Sequence, residues 1–244
     1  MPDIVVSPST ISVTVASAAA AEWDPKTSVD LFSDFVNDPS PFGISTGTAG
    51  NPGSSSYTFT DDETSFGRIN LSLSGTQGAR IGVYAAQADT STVNRARKIT
   101  DGASDFECRM SIVTAVTLQR TIVGLVVTHG PPSTTLIIQD GAAFVAKGAS
   151  GNWFAVTAAS NVMSEVETAY TSASMRNLRI TTNAAGTEVR FYIDGNLVRT
   201  ADVTWDTDSS LAWGIEMRDK ATGGSGTSGL ATADFMRLRL PISR

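Results

Sequence analysis

Short stretches in which apolar and polar residues alternate run through most of the chain. In DFECRMSIV at 105–113 every second residue is apolar, which leaves Glu107 and Arg109 on the opposite side. The same alternation recurs at 69–74, 188–194 and 211–218. A period of two is typical of β-strands that bury one face and expose the other. The pattern therefore predicts an all-β protein whose strands share a core.

Three further stretches refine this prediction. Residues 122–127, IVGLVV, are apolar on both faces, which predicts a central strand. Asp194-Gly195 directly follows the strand at 188–194, and this dipeptide closes tight hairpins because both positions tolerate a positive φ. The segment NVMSEVETAY at 161–170 predicts one or two helical turns at most, and no other stretch of the body predicts a helix.

The first 27 residues differ from the rest of the chain. Ile11, Val13 and Val15 alternate with hydroxyl residues, and an alanine-rich run follows them. A single strand of this kind has no core of its own, so it must pair either with the sheet edge of its own body or with a neighbouring chain. We therefore predict an N-terminal extended arm and linker at 1–27 and a β-sandwich domain at 28–244.

The charge and the cysteine and histidine content exclude several classes of function. The 244 residues carry 18 basic and 24 acidic side chains, a net charge of −6 that argues against nucleic-acid binding. One cysteine and one histidine exclude a disulfide framework and a zinc site built from these residue types. Cys108 is therefore interpreted as a small buried hydrophobe, with a reactive thiol as the alternative.

The sequence also carries a prediction about location. No run approaches the roughly 18 consecutive apolar residues that a membrane-spanning helix needs. The first basic residue is Lys26, so the apolar stretch at 11–21 lacks the positive region of a secretory signal. We expect a soluble protein that is made and kept without export and does not insert into a membrane.

Three stretches resemble the concanavalin A-like jelly roll of legume lectins, laminin G-type domains and family 16 glucanases. They are DFECRMSIV at 105–113, MRNLRITTNAAGTEVRFYIDGNLVRT at 175–200 and ATADFMRLRL at 231–240, and the second is the most specific because it contains a recurrent hairpin of that fold. The resemblance implies two stacked antiparallel sheets of about six or seven strands, in a fold that serves binding and structural roles alike. In that family the concave face and its rim loops hold sugars.

The chain does not provide the acid pair that a glucanase of this fold needs. A retaining glycosidase uses two carboxylates roughly 5 to 5.5 Å apart, and on one strand they occupy alternate positions. The stretch TTLIIQD at 134–140 should take the corresponding place, and it contains no such pair. The only close glutamate spacing in the body, Glu165-Val166-Glu167, lies outside the recognised strands. Glu107 and Glu216 could meet across a sheet, yet each has an arginine two residues along, which favours solvated salt bridges. His129 lies in a proline turn, so we predict that the chain is not an enzyme.

A weaker pattern favours sugar binding, which uses an aromatic platform and polar groups that fix the hydroxyls. Trp153 and Asn152 follow a glycine-rich turn and could stand at a rim, while Arg109, Arg190 and Tyr192 could line a sheet face. The alternative for all five is structural, with the tryptophan covering a sandwich edge and the arginines and tyrosine stabilising an exposed sheet.

The resemblance also implies a structural calcium ion. In the glucanase branch of this superfamily an acid in the last strand takes part in the calcium site, which corresponds here to Asp234, with Asp34 near the first strand as a second ligand. Hard oxygen ligands suit calcium. The alternative is that both acids cap turns.

Two functions from different classes remain open. The first is a non-catalytic structural or adhesive component of a bacteriophage virion, such as a capsid decoration or a tail-fibre protein. Its partners would be other virion proteins, copies of itself joined through the arm into a homo-oligomer, and surface glycans. This hypothesis rests on the arm, the missing export signal and the missing acid pair. The second is a soluble microbial lectin-like or carbohydrate-active, glucanase-like protein.

Overall fold

The computed structural model of the chain describes most of the predicted domain. The described residues are 28–35, 42–48, 55–60, 67–76, 78–84, 103–126, 138, 140–148, 150–160, 162–204, 212–219 and 226–241. The predicted arm at 1–27, His129 and most of the stretch at 134–140 lie outside them.

The described residues form two antiparallel sheets. Sheet A has eight strands in the order β13 (Asn196–Asp202), β12 (Glu188–Ile193), β11 (Arg176–Thr182), β6 (Ser104–Thr114), β15 (Gly229–Pro241), β4 (Arg68–Leu73) and β3 (Ser56–Thr60), and β1 (Ser28–Ser33) also pairs with β15. Sheet B has seven strands in the order β10 (Val162–Thr171), β9 (Asn152–Ala159), β8 (Gly141–Lys147), β7 (Gln119–Val126), β14 (Ala212–Asp219), β5 (Ala79–Tyr84) and β2 (Gly43–Thr48). The all-β, two-sheet prediction is confirmed.

Strand β15 organises sheet A because three strands pair along its length. Its N-terminal half pairs with β4, and its C-terminal half pairs with β1 on the same side, from Ser28 opposite Pro241 to Ser33 opposite Met236. On its other side it pairs with β6. The first described strand of the domain is thus held by the last.

The core lies between the two sheets and consists of the residues that the alternation pattern selects. The rings of Phe106 on β6 and Trp213 on β14 stack across the interface with their centroids 5.2 Å apart. Full burial of such a side chain contributes about 1.5 to 3 kcal/mol. The predicted inward residues that are buried include Ile69, Leu71, Leu73, Phe106, Cys108, Met110, Ile112, Val189, Phe191, Ile193, Trp213, Ile215 and Met217. The interpretation of Cys108 as a buried hydrophobe is therefore confirmed.

The predicted hairpin and central strand are also confirmed. Asp194 and Gly195 have φ values of 50° and 80°, as a tight turn between β12 and β13 requires. Strand β7, which contains most of 122–127, lies between β8 and β14 in the middle of sheet B.

The prediction for residues 161–170 is wrong. These residues were expected to form at most two helical turns, and instead β10 runs from Val162 to Thr171 and pairs with β9. The reason is that pairing with the buried strand β9 overrides local propensity, which is weak for a segment whose valines and glutamates fit either structure. The described residues contain no helix with the length and apolar character needed to cross a bilayer.

Candidate functional site

A buried charged cluster lies on the outer face of sheet B, the face turned away from sheet A. Glu216 on β14 sits opposite Gly82 of β5 and Ile122 of β7, and only 1% of its surface is exposed. The hydroxyl of Tyr84 donates a hydrogen bond of 2.6 Å to Oε2 of Glu216. The guanidinium of Arg218 forms an ion pair with Oε1. Both oxygens of this buried carboxylate are therefore satisfied by side chains.

Two glycines make room for the tyrosine. A Cβ atom at Gly82 would lie 2.5 Å from the hydroxyl oxygen of Tyr84, and one at Gly214 would lie 2.8 Å from its Cδ1 atom. Any larger residue would displace the ring, since real Cβ atoms do not approach so closely. The ring of Tyr84 therefore packs against Gly82 of β5 and Gly214 of β14, and its hydroxyl reaches Glu216.

Burial sets the protonation of this cluster. Desolvation raises the pKa of Tyr84 to about 12, so its hydroxyl remains a donor at neutral pH. Burial also lowers the pKa of Arg218. A guanidinium starts from so high a pKa that it stays charged. The arrangement is a carboxylate held between a phenol and a guanidinium.

The other half of the same face is apolar and is covered by the chain itself. A second hydrophobic cluster fills it, separate from the main core. Its members are Ile122, Ile138, Ala143, Val145, Phe154, Val156 and Ala158, with Met163 packed against them. Ile138, which precedes β8, is buried in this cluster. Lys147 lies at the edge of this cluster. Its Nζ atom is 4.1 Å from the centroid of the Phe154 ring and 2.5 Å from a carboxylate oxygen of Glu165.

The other acidic residues described on this face are too far from Glu216 for glycoside hydrolysis. Glu165 and Glu167 lie on β10, four strands from β14, which places them about 19 Å away at ordinary strand spacing. The two carboxylates of a retaining glycosidase are about 5 to 5.5 Å apart, and those of an inverting one about 6.5 to 9.5 Å apart. Glu165 and Glu167 themselves occupy alternate positions on one face of β10, where Glu165 forms an ion pair with Lys147 and Glu167 accepts a hydrogen bond from Asn152. Among the described residues of this face, Glu216 thus has no second carboxylate near it.

The structure separates the two glutamates that the sequence suggested might meet. Glu107 lies on β6 in sheet A and Glu216 on β14 in sheet B, with their side chains on opposite outer faces of the sandwich. The expected Glu216–Arg218 pair is present, but it is buried rather than solvated. Burial, and the nearby charge of Asp105, raise the pKa of Glu107.

A network of ion pairs crosses the outer face of sheet A. Asp105, with 4% of its side chain exposed, accepts hydrogen bonds of 2.7 and 2.9 Å from Arg179 and one of 3.1 Å from Arg239. Asp30 on β1 accepts a bond of 2.8 Å from Arg237 and lies 3.6 Å from Arg239. The network thereby links β11, β6, β15 and β1.

Three of the predicted ligand residues lie on this outer face of sheet A, as expected for residues lining a sheet. Arg109 pairs with Asp234 at 3.1 Å, and Arg190 pairs with Glu188 at 2.7 Å. The ring of Tyr192 lies 5.6 Å from the guanidinium carbon of Arg179. All three side chains thus have partners within the molecule.

Asn152 and Trp153 lie on β9 in the other sheet, so the five predicted ligand residues do not form one site. Asn152 donates a bond of 3.2 Å to Glu167. Trp153 was predicted to stand at a rim, and this is wrong, because its side chain is fully buried in the core against Phe144, with ring centroids 6.5 Å apart. Residues 153–156 are apolar on both faces of β9, so the sequence could not show which face turns inward.

The residues predicted for calcium do not fit a cation. A register shift between Ala233 and Phe235 makes Asp234 an extra residue in β15. Its carboxylate lies 3.1 Å from Arg109 and 3.8 Å from Arg68, so guanidinium groups already balance its charge. Asp34 is exposed just beyond the end of β1. Among the described residues no group of three or more acidic, histidine or cysteine side chains could hold a metal ion.

Comparison with known proteins identifies the fold but no family. No family model matches the chain, and no curated protein matches it significantly. A protein of unknown function from Shewanella oneidensis MR-1 superposes with a TM-score of 0.62 at 14% identity, covering 89% of each chain. The β-glucanase of Bacillus licheniformis gives a TM-score of 0.56 at 14% identity over 88% of this chain and 98% of that one. The carbohydrate recognition domain of Emp46p in its potassium-bound form gives 0.53 at 13% identity over 89% and 98%.

This chain has the concanavalin A-like jelly-roll fold. The resemblance predicted from three stretches of sequence is confirmed at the level of fold. The jelly roll spans nearly the whole length of the glucanase and the recognition domain to which it is similar. At identities of 13 to 14% the likeness establishes the architecture alone.

Proposed function

We propose that this jelly roll is a non-catalytic structural and adhesive module of a larger assembly, with a bacteriophage virion as its setting. The single observation that carries the proposal is the isolation of Glu216. This carboxylate is buried and bound on both oxygens by Tyr84 and Arg218, and the other described glutamates of its face lie four strands away on β10. The role that we assign to this module is that of a capsid decoration or a tail-fibre component.

The ion pairs and apolar packing on the outer faces of the two sheets support a structural role. Three acidic residues on the outer face of sheet A, Asp105, Asp30 and Asp234, pair with arginines of neighbouring strands. The apolar half of the outer face of sheet B is filled by residues of the chain itself. Side chains that satisfy one another stabilise a sheet and leave few groups for a reaction.

Glycan binding is the second candidate function. It is supported by the fold neighbours that bear carbohydrate-related names, a glucanase and a carbohydrate recognition domain. A glycan array probed with the full chain, with and without added calcium, tests this candidate, and an array without hits in both conditions would eliminate it.

The assembly role is tested by the molar mass of the purified full chain in light scattering, compared with a variant that lacks residues 1–22. We expect the full chain to have a mass of at least twice the 25.5 kDa of one chain and the truncated chain to have the mass of a monomer. A full chain that is a monodisperse monomer at every concentration tested would contradict the proposal.

A further inference from the structure

One row of side chains crosses the outer face of sheet A, with an exposed apolar residue at each end. Residues directly opposite each other on paired strands project from the same face of a sheet. The register of six neighbouring strands places six residues in this row: Phe32, Arg237, Glu107, Arg179, Tyr192 and Leu197. Phe32 is 50% exposed and Leu197 is 55% exposed. The face is thus charged at its centre and apolar at two of its margins.

Glu107, near the middle of this row, makes no ion pair or hydrogen bond with any described residue. Its neighbours in the row, Arg179 and Arg237, instead bind Asp105 and Asp30. The side chain of Glu107 is half-buried, and this desolvation raises its pKa. A carboxylate that has lost part of its hydration without gaining a partner is a place where an added cation contributes strongly.

Arg109, the next residue of β6 that faces outward, has donors beyond those that the molecule uses. Its Nη1 atom donates a hydrogen bond of 3.1 Å to Asp234, and 49% of its side chain is exposed. A guanidinium carries five N–H donors, so this bond leaves others for a second carboxylate. Glu107 and Arg109 lie about 7 Å apart along the strand. A half-buried carboxylate and an exposed guanidinium thus lie side by side without pairing.

This change of sign along β6 is complementary to itself. β6 lies in the middle of sheet A, with β11, β12 and β13 on one side and β15, β4 and β3 on the other. When two copies of a strand lie antiparallel across a two-fold axis, residue 107 of one copy meets residue 109 of the other, and the reverse contact follows by symmetry. Each carboxylate would then face a guanidinium. A face with one sign of charge would instead repel its own copy.

The area of the face suits a pair of copies. The six strands that the row crosses, β1, β15, β6, β11, β12 and β13, have between 6 and 13 residues each. At about 4.8 Å between strands and about 3.4 Å along each residue, their outer face covers roughly 800 Å². Each partner in an interface of standard size contributes about 800 Å².

We propose that the outer faces of sheet A of two copies pack against each other about a two-fold axis near Cys108, with Glu107 of each copy bound to Arg109 of the other. Phe32 and Leu197, at the two ends of the row, are covered at the margins of this contact. Much of the face is charged, so the contact orients the two copies more than it adds affinity. This inference rests on the assembly role proposed above and adds a contact between described residues.

The first test reverses each charge in the full chain. Glu107→Arg should weaken self-association by about tenfold or more, because two guanidinium groups would meet at each pair. Arg109→Glu should do the same, because two carboxylates would meet. The matched control is Glu167→Arg on β10, at an exposed glutamate of the other sheet, and it should associate like the wild type. The concentration dependence of the light-scattering mass measures all three.

The second test mixes the two charge-reversed variants. In a mixed pair every reversed side chain meets a residue of opposite sign, so equal amounts of Glu107→Arg and Arg109→Glu should regain the wild-type mass although neither associates alone. Variants that have lost their fold would not recover on mixing, so recovery identifies the contact itself. Two variants with the circular dichroism of the wild type that fail to associate on mixing would overturn the two-fold pairing.

A substitution away from these charges tests the face even if a charge reversal destabilises the chain. Leu197→Asp changes an exposed position and should weaken self-association by about fivefold, because the contact would desolvate the new carboxylate. Val162→Asp on β10, where the side chain is 74% exposed, is its control and should have no effect. Equal effects of these two substitutions would overturn the choice of this face.

The possible results separate this inference from the assembly role. A wild-type oligomer whose mass is unchanged by Glu107→Arg, Arg109→Glu and Leu197→Asp would overturn the packing of the two faces while the assembly role stands. A wild-type chain that remains a monomer at every concentration tested would contradict the assembly role itself.

Discussion

At the scale of single residues, the most informative feature is how a buried glutamate is satisfied. Glu216 is almost fully buried, and its two oxygens are bound by a neutral phenol and a charged guanidinium. Burying a carboxylate is costly unless it is paired and hydrogen-bonded. The sequence placed Glu216 and Arg218 on one face of their strand, but Tyr84 could not be found from it, because the pairing of β5 with β14 joins residues 132 positions apart.

Replacing Tyr84 with phenylalanine should destabilise the protein by about 1.5 to 3 kcal/mol, because the hydrogen bond to a charged, buried oxygen is lost without a replacement. Urea unfolding of the variant and the wild type measures the difference. Tyr57→Phe is the matched control, since this side chain is 44% exposed, and it should change the free energy of unfolding little. Equal effects of the two substitutions would contradict the role given to the Tyr84 hydroxyl.

The raised pKa of Tyr84 predicts a loss of stability at alkaline pH. The folded protein holds this proton up to a pH of about 12, whereas the unfolded chain releases it near its usual value of about 10. The contribution is therefore fully present below pH 10 and is lost between pH 10 and 12, at up to about 1.4 kcal/mol per pH unit. The difference in stability between the wild type and Tyr84→Phe should shrink across this range. A difference that is constant from pH 9 to 12 would exclude the assignment.

At the scale of elements, the strands could be predicted where one face is apolar and the other polar, and not elsewhere. The alternation of β6, β12 and β14 fixed their inward residues correctly. The first part of β9, at 153–156, is apolar on both faces, so the burial of Trp153 could not be predicted from its pattern. β10 is exposed along most of its length, so its strand structure depends on pairing with β9 rather than on its own residues.

The ion-pair network on sheet A offers a comparison between a buried and an exposed acid. Asp105→Asn should destabilise the protein by about 2 to 3 kcal/mol, because it removes the charge that a buried, bidentate arginine pair requires. Asp30→Asn should cost less than about 1 kcal/mol, because its side chain is 39% exposed and its ion pairs are screened by solvent. Thermal unfolding of both variants measures the ranking. A reversed order would show that the network is not anchored at Asp105.

At the scale of the whole molecule, the sequence predicted the jelly roll but not how its faces are used. The fold followed from strand order and one specific hairpin, which depend on local patterns. The use of the faces depends on contacts between distant segments, such as Ile138 packing against the outer face of sheet B. The sequence did not show that Glu165 and Glu167 share one face of a strand, and the structure places them on β10, four strands from Glu216 on β14.

The most direct test of the non-catalytic role is the release of reducing ends from a panel of β-glucans by the full chain, measured beside Glu216→Gln. The non-catalytic role predicts that neither protein releases sugar above the buffer blank at any pH from about 4 to 9, a range that covers the ionisation of carboxylate and histidine side chains. Hydrolysis by the wild type that is abolished in Glu216→Gln would contradict it.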